Sequence, residues 1–237
     1  MKVKKSQKII KAFTNTDGLY TIGPKMTTNG RLAPIYTDIR KFFSFPKNLK
    51  LLAREIINFT KEKNIDYDIV LGGATAGIPI ATAVSLLSGK QFGYVRKAPK
   101  DGGNGLAVEG NYKKGMKCIL IDDAMGHGDA KIAFIKNIRE AGLKVEWVIV
   151  AAARVLKGEI GKKSTSWIKP NKVKFQAFCE IYDLIKDAYE NKIITKEAFD
   201  LLSWYADDAM NWPKDPKKWE YFQNYLKKPV HHSKSGV

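Results

Sequence analysis

The stretch CILIDDAMGHGDA, residues 118–130, constrains this chain more than any other. Four apolar residues run directly into Asp122 and Asp123, and a short turn carrying Gly126, His127 and Gly128 follows. An unbroken apolar run closed by turn residues suits a strand buried on both faces of a parallel sheet. Carboxylates at the C-terminal end of such a strand stand in the crevice where open α/β sheets bind ligands. The glycines and the start of the next helix, expected from about Lys131, can offer free backbone N–H groups to an anion. Carboxylates for hydroxyls beside amides for a phosphate suit a sugar phosphate.

The flanking sequence supports the same architecture. DYDIVLGGATAGIPIATAVSLLSG (66–89) reads as strand, glycine-rich turn and helix, with Pro79 near the helix start. A glycine-rich turn alone is weak evidence, since many such turns only reverse the chain. Further strands are expected at Phe92–Arg96 and Val145–Ala153, and helices at 46–63 and from Lys131 to Ala141, the latter ended by Gly142. Phe175–Tyr189 and Thr195–Tyr205 read as two more helices. Alternating strands and helices imply a mostly parallel sheet flanked by helices. Gly18–Arg40, broken at Gly23-Pro24, Asn29-Gly30 and Pro34, reads as brief strands and turns forming a small N-terminal hood.

The segment RKAPKDGGNGLAVEG (96–110) has no apolar period and reads as a mobile surface loop. It is either a solvated basic loop or a lid that brings positive charge to a phosphate. The C-terminal stretch mixes Trp212, Trp219, Tyr221, Phe222 and Tyr225 with lysines. Such a mixture can bind single-stranded nucleic acid, but packing of the aromatics onto the domain is the favoured reading. His231 and His232 read as a loose end rather than metal ligands.

Composition adds bounds. The formal charge of +17 calls for anionic partners, whether phosphorylated metabolites or nucleic acid, or serves solubility. Cys118 and Cys179 form no CxxC pair, which suits reduced thiols in the cytoplasm. No apolar run has the length of a membrane span, and the basic N-terminus reads as an amphipathic helix.

Four stretches, NGRLAPIYTDIR (29–40), GGATAGIPIA (72–81), YVRKAPKDGGNGLAVEG (94–110) and CILIDDAMGHG (118–128), together resemble the orotate phosphoribosyltransferases. The resemblance runs to about residue 202 and implies the type I phosphoribosyltransferase fold over 1–202. The hood would lie mainly at 14–40, and 203–237 would be an aromatic and basic extension. It implies transfer of ribose 5-phosphate from phosphoribosyl pyrophosphate to orotate, with Mg²⁺ held mainly through substrate rather than by protein ligands. Asp122 and Asp123 would bond the ribose hydroxyls, and the turn of Ala124, Met125, Gly126, His127 and Gly128 would cradle the 5-phosphate. Thr75, Ala76 and Gly77 would form the pyrophosphate loop, while Tyr36 and Arg154 would lie near the base. Arg96, Lys97 and Lys100 would come from a loop shared across a homodimer. Lys100, Asp101 and Asp123 would be catalytic, Asp101 handling a proton.

The chain departs from the family pattern at Gly126, Asp129 and Ala130 in the phosphate turn. It departs also at Gly102 in the loop, at Thr28 before the NGR turn and at Ala153 before Arg154. Asp129 reads as the N-cap of the helix from Lys131.

Overall fold

Two strands, β1 (Tyr20–Met26) and β2 (Leu32–Thr37), pair antiparallel to form the hood. The main sheet is built from β3 (Ile69–Gly73), β4 (Gln91–Val95), β5 (Val108–Gly110), β6 (Lys117–Met125), β7 (Lys144–Ala153) and β8 (Lys174–Glu180). Its order is β5-β4-β3-β6-β7-β8, parallel throughout except for β5, which runs antiparallel to β4. The computed structural model describes residues 4–26, 30–99, 106–126, 128–154 and 165–228.

The helices are α1 (Gln7–Thr14), α2 (Pro46–Glu62), α3 (Gly77–Ser88), α4 (Asp129–Glu140), α5 (Ile181–Glu190), α6 (Lys196–Asp207) and α7 (Pro216–Lys227). One core lies where Ile9, Phe13, Leu52, Ile56, Ile80 and Leu184 cover the sheet face carrying Ile119 and Ile121. A second lies where Phe134, Ile135 and Ile138 of α4 meet Leu120 and Val148 on the opposite face. Residues on successive strand positions thus serve two cores, which is why the strands read as continuous apolar runs. Each fully buried aliphatic side chain contributes about 1.5–3 kcal/mol.

The expected helix over Phe175–Tyr189 is corrected: its first part is strand β8, and α5 begins only at Ile181. Phe175, Phe178, Cys179 and Tyr182 carry helical spacing by coincidence, because Phe175–Cys179 is buried throughout, on both faces of a strand. The boundary is marked by a capping box, Glu180 with Asp183. The N-cap reading of Asp129 is also corrected: Gly128, at φ +93°, is the N-cap. Asp129 is the exposed first helical residue, placed where the helix dipole favours an acid.

The C-terminal aromatics pack inward, as expected. Trp212 is 1% exposed, meets Phe222 edge-on at 5.4 Å, and donates from Nε1 to the Leu32 carbonyl at 2.9 Å. The extension thereby braces β2 of the hood. Trp212→Ala should cost about 3–5 kcal/mol in denaturant unfolding, as for other large aromatics cut from a core.

Candidate active site

Strand order reverses between β3 and β6: the chain leaves β3 toward β4 and returns on its other side. Ligands of open α/β sheets bind at this point, beyond the strands' C-terminal ends. Here the turn Ala74–Ala76 after β3 meets the end of β6, where Gly73 and Gly77 lie against Asp122.

The β3 turn keeps Thr75 exposed and Ala76 half-buried, and its Ala74–Thr75 peptide is cis. Gly77 opens α3 hard against β6; a Cβ there would lie 2.4 Å from the Ile121 carbonyl oxygen. Only glycine permits that approach, so the turn is held beside the acids of β6.

Asp122 and Asp123 differ sharply. Asp122 is 5% exposed, and its Oδ2 accepts from the Lys131 ammonium at 2.5 Å. Its Oδ1 accepts from the Asp123 N–H at 2.9 Å. Burial and the neighbouring Asp123 charge push its carboxyl up to about 6, against the opposing pull of Lys131. Asp123 is half-buried; its Oδ1 accepts from the Ala124 N–H at 2.6 Å. Its other oxygen has no hydrogen-bond partner among the described residues.

Beyond the acids, Ala124 and Gly126 are half-buried, while Met125 is fully buried and anchors the turn in the α4-side core. The Met125 carbonyl accepts from the Arg154 N–H at 2.7 Å, tying the turn to the end of β7. Gly128 rests on the Trp167 indole: a Cβ at Gly128 would come within 2.2 Å of it. His127 lies outside the described residues.

Past the end of β7, Arg154 stacks over the Tyr36 ring at 5.9 Å and donates from Nη2 to the Thr37 carbonyl at 3.3 Å. Arg40 donates to the Tyr36 hydroxyl at 3.2 Å, and Lys25 sits 5.1 Å over the same ring. The residues expected near a base, Tyr36 and Arg154, are therefore together, with two further cations beside them.

The basic loop springs from an ordered root. Ala107 and Val108 are buried, and β5 pairs with β4, so apolar residues anchor a segment whose sequence shows no period. The Arg96 guanidinium lies 3.5 Å from Glu109 and 5.4 Å over the Tyr94 ring, while Lys97 is exposed. Asn137 of α4 donates to the carbonyls of Arg96 and Lys97 at 2.7 and 3.2 Å. Lys100 and Asp101, with Gly102 and Thr28, lie outside the described residues.

Sequence reasoning missed Lys131 and Asn137. Their signal was present: both fall on the stripe of α4 that carries Phe134, Ile135 and Ile138, where polar residues need a buried partner.

The profile described as "Phosphoribosyl transferase domain" matches residues 45–186. The chain belongs to the phosphoribosyltransferase family. It is 32% identical over 186 residues to the orotate phosphoribosyltransferase of Pyrococcus horikoshii, covering 78% of this chain and 96% of that one. This puts it in the orotate branch of the family. Leishmania donovani UMP synthase superposes with a TM-score of 0.70 at 25% identity, over 84% of this chain and 41% of the synthase. The orotate phosphoribosyltransferase of Aeropyrum pernix superposes with a TM-score of 0.62 at 21% identity, over 76% of this chain and 98% of the other. The latter likeness is one of fold: the same type I phosphoribosyltransferase sheet and flanking helices.

Proposed function

We propose that this phosphoribosyltransferase moves ribose 5-phosphate from phosphoribosyl pyrophosphate to orotate, giving orotidine 5′-monophosphate and pyrophosphate for pyrimidine nucleotide synthesis. The observation that carries this reading is that the β3 turn packs on the acids of β6, while Arg154, bonded to Met125 at that strand's end, lies over Tyr36. A nitrogen of the base attacks the anomeric carbon as its bond to the pyrophosphate oxygen breaks. Positive charge grows on the sugar ring and negative charge on the leaving group.

Each part of the site has a task in that displacement. Amides of the turn from Ala124 to Gly128 hold the 5-phosphate at the start of α4. Asp123 holds ribose and offsets the developing positive charge. The amides of Thr75, Ala76 and Gly77 receive the pyrophosphate, with Arg96, Lys97 and Lys100 adding positive charge and Asp101 handling a proton. Lys25, Arg40 and Arg154 around Tyr36 suit an anionic base, which favours orotate over uncharged bases.

Mg²⁺ fits this donor set, because it binds through few carboxylates plus substrate phosphates and keeps much of its water. Bound through the pyrophosphate, it would neutralise the leaving group. An assay with orotate, phosphoribosyl pyrophosphate and Mg²⁺ tests the proposal directly. Formation of orotidine 5′-monophosphate is expected; its absence with folded protein, beside turnover of another base, would reassign the substrate.

The enzyme acts as a cytoplasmic homodimer in this reading. No described helix is long and apolar enough to cross a membrane, and burial pushes the Cys118 thiol up to about 12, suiting a reduced, inert side chain. On α3, Leu86 is 80% and Leu87 43% exposed, an apolar face that a second copy would cover. Leu86→Glu should therefore shift the sedimentation mass from dimer toward monomer. Activity should fall with dilution, because the basic loop serves the neighbouring subunit's site.

A further inference from the structure

We propose that Lys131 is a positioning residue that withdraws Asp122 from sugar binding and leaves Asp123 as the acid that meets the ribose. The inference rests on the phosphoribosyl pyrophosphate reading above and departs from the expectation that both acids bond the ribose. Three observations carry it.

The first is occupancy. Each oxygen of Asp122 already has a donor, Oδ2 the Lys131 ammonium at 2.5 Å and Oδ1 the Asp123 N–H at 2.9 Å. The second is enclosure. A Cβ built on Gly73 would fall 3.1 Å from the Asp122 carboxyl carbon, and one on Gly77 would fall 3.2 Å from Oδ1. The carboxylate thus lies against the glycine turn of β3 rather than in the crevice. Lys131 is itself 5% exposed, so the pair is sealed from water on both sides. The third is direction. Adjacent strand residues send their side chains to opposite faces. Leu120 and Asp122 share the α4 face, since Leu120 packs with Phe134 and Asp122 binds Lys131. The alternation turns Asp123 away from that pocket.

The same ammonium also donates to the Ala124 carbonyl. Lys131 therefore fastens the first turn of α4 to the end of β6, across the loop that cradles the phosphate. This holds the start of α4 against the strand end without the side-chain hydroxyls that Gly126 and Ala130 lack. A buried acid stripped of its counter-ion is costly and seeks another partner, whereas removing both charges together is far less disruptive.

The test compares binding of phosphoribosyl pyrophosphate with Mg²⁺ by titration calorimetry, and its KM, in the native chain, Lys131→Met and Asp122→Asn/Lys131→Met. Lys131→Met is expected to weaken binding about tenfold or more, and adding Asp122→Asn is expected to recover most of that loss. A residue that served only the fold would recover melting temperature without recovering KM. If adding Asp122→Asn weakens binding further, Asp122 is a ribose ligand and the inference fails. Should the double variant not fold, a crystal of the native chain with ribose 5-phosphate decides. Ribose hydroxyls on Asp123, with Lys131 still on Asp122, support the inference, and a hydroxyl on Asp122 overturns it. A native chain that binds no phosphoribosyl pyrophosphate removes the underlying reading instead, so the two failures are distinct.

Discussion

Asp123→Asn should lower kcat for phosphoribosyl transfer by about a hundredfold or more, with a smaller rise in the KM for the phosphorylated sugar as the ribose loses an acceptor. The amide oxygen can still accept from the Ala124 N–H, as Oδ1 does at 2.6 Å, so the strand end keeps its shape. What is lost is one acceptor for the ribose and, with the larger effect, a negative charge beside a ring that becomes positive only in the transition state. An interaction of that kind lowers kcat rather than raising KM. Steady-state kinetics beside a thermal melt checks it: an unchanged melting temperature with a collapsed kcat is the expected pair. Equal, modest losses in kcat and KM would mean that Asp123 contributes only ordinary binding.

Gly128→Ala should be nearly as damaging by a different route. The residue sits at φ +93°, where a side chain is strained, and its new methyl would lie 2.2 Å from the Trp167 indole. Trp167 is 4% exposed and wedged edge-on against Phe175 at 6.0 Å, so it has little room to retreat. The turn must move instead, carrying its amides off the phosphate. Affinity for the phosphorylated sugar should fall about tenfold to a hundredfold, a cost of about 1.4–2.8 kcal/mol. The base should lose much less affinity, since Tyr36 belongs to the hood and Arg154 meets the turn only through the Met125 carbonyl. Binding titrations with each ligand separately distinguish the two. Relief of the defect by Gly128→Ala/Trp167→Ala would identify the indole contact as its cause.

Much of this was legible in the chain itself. The apolar run before Asp122, the glycines after Ile69–Leu71 and the alternation of strands and helices led to the sheet and to the point where its strand order reverses. Each of those signals is local, a matter of period and turn chemistry. What the sequence withheld depends on distant partners. Lys174–Glu180 carries a helix-like spacing, and only burial between β7 and solvent-shielding helices makes it a strand. Val108 anchors the basic loop through pairing with β4, which no window over 96–110 reveals. Asp122 and Asp123 read as equivalent neighbours until Lys131, nine positions on, is brought back by the turn onto one of them. Similarly, the approach of Lys25 and Arg40 to Tyr36 follows from the pairing and turn of the hood.

Helix α4 joins two parts of the molecule that the chemistry treats as separate. Its first residue, Asp129, follows Gly128 beyond the end of β6, and Asn137 of the same helix grips the carbonyls of Arg96 and Lys97. Eight residues of helix span about 12 Å and bend little. The rod thus works as a strut, holding the N-terminus of α4 and the root of the basic loop at a fixed separation.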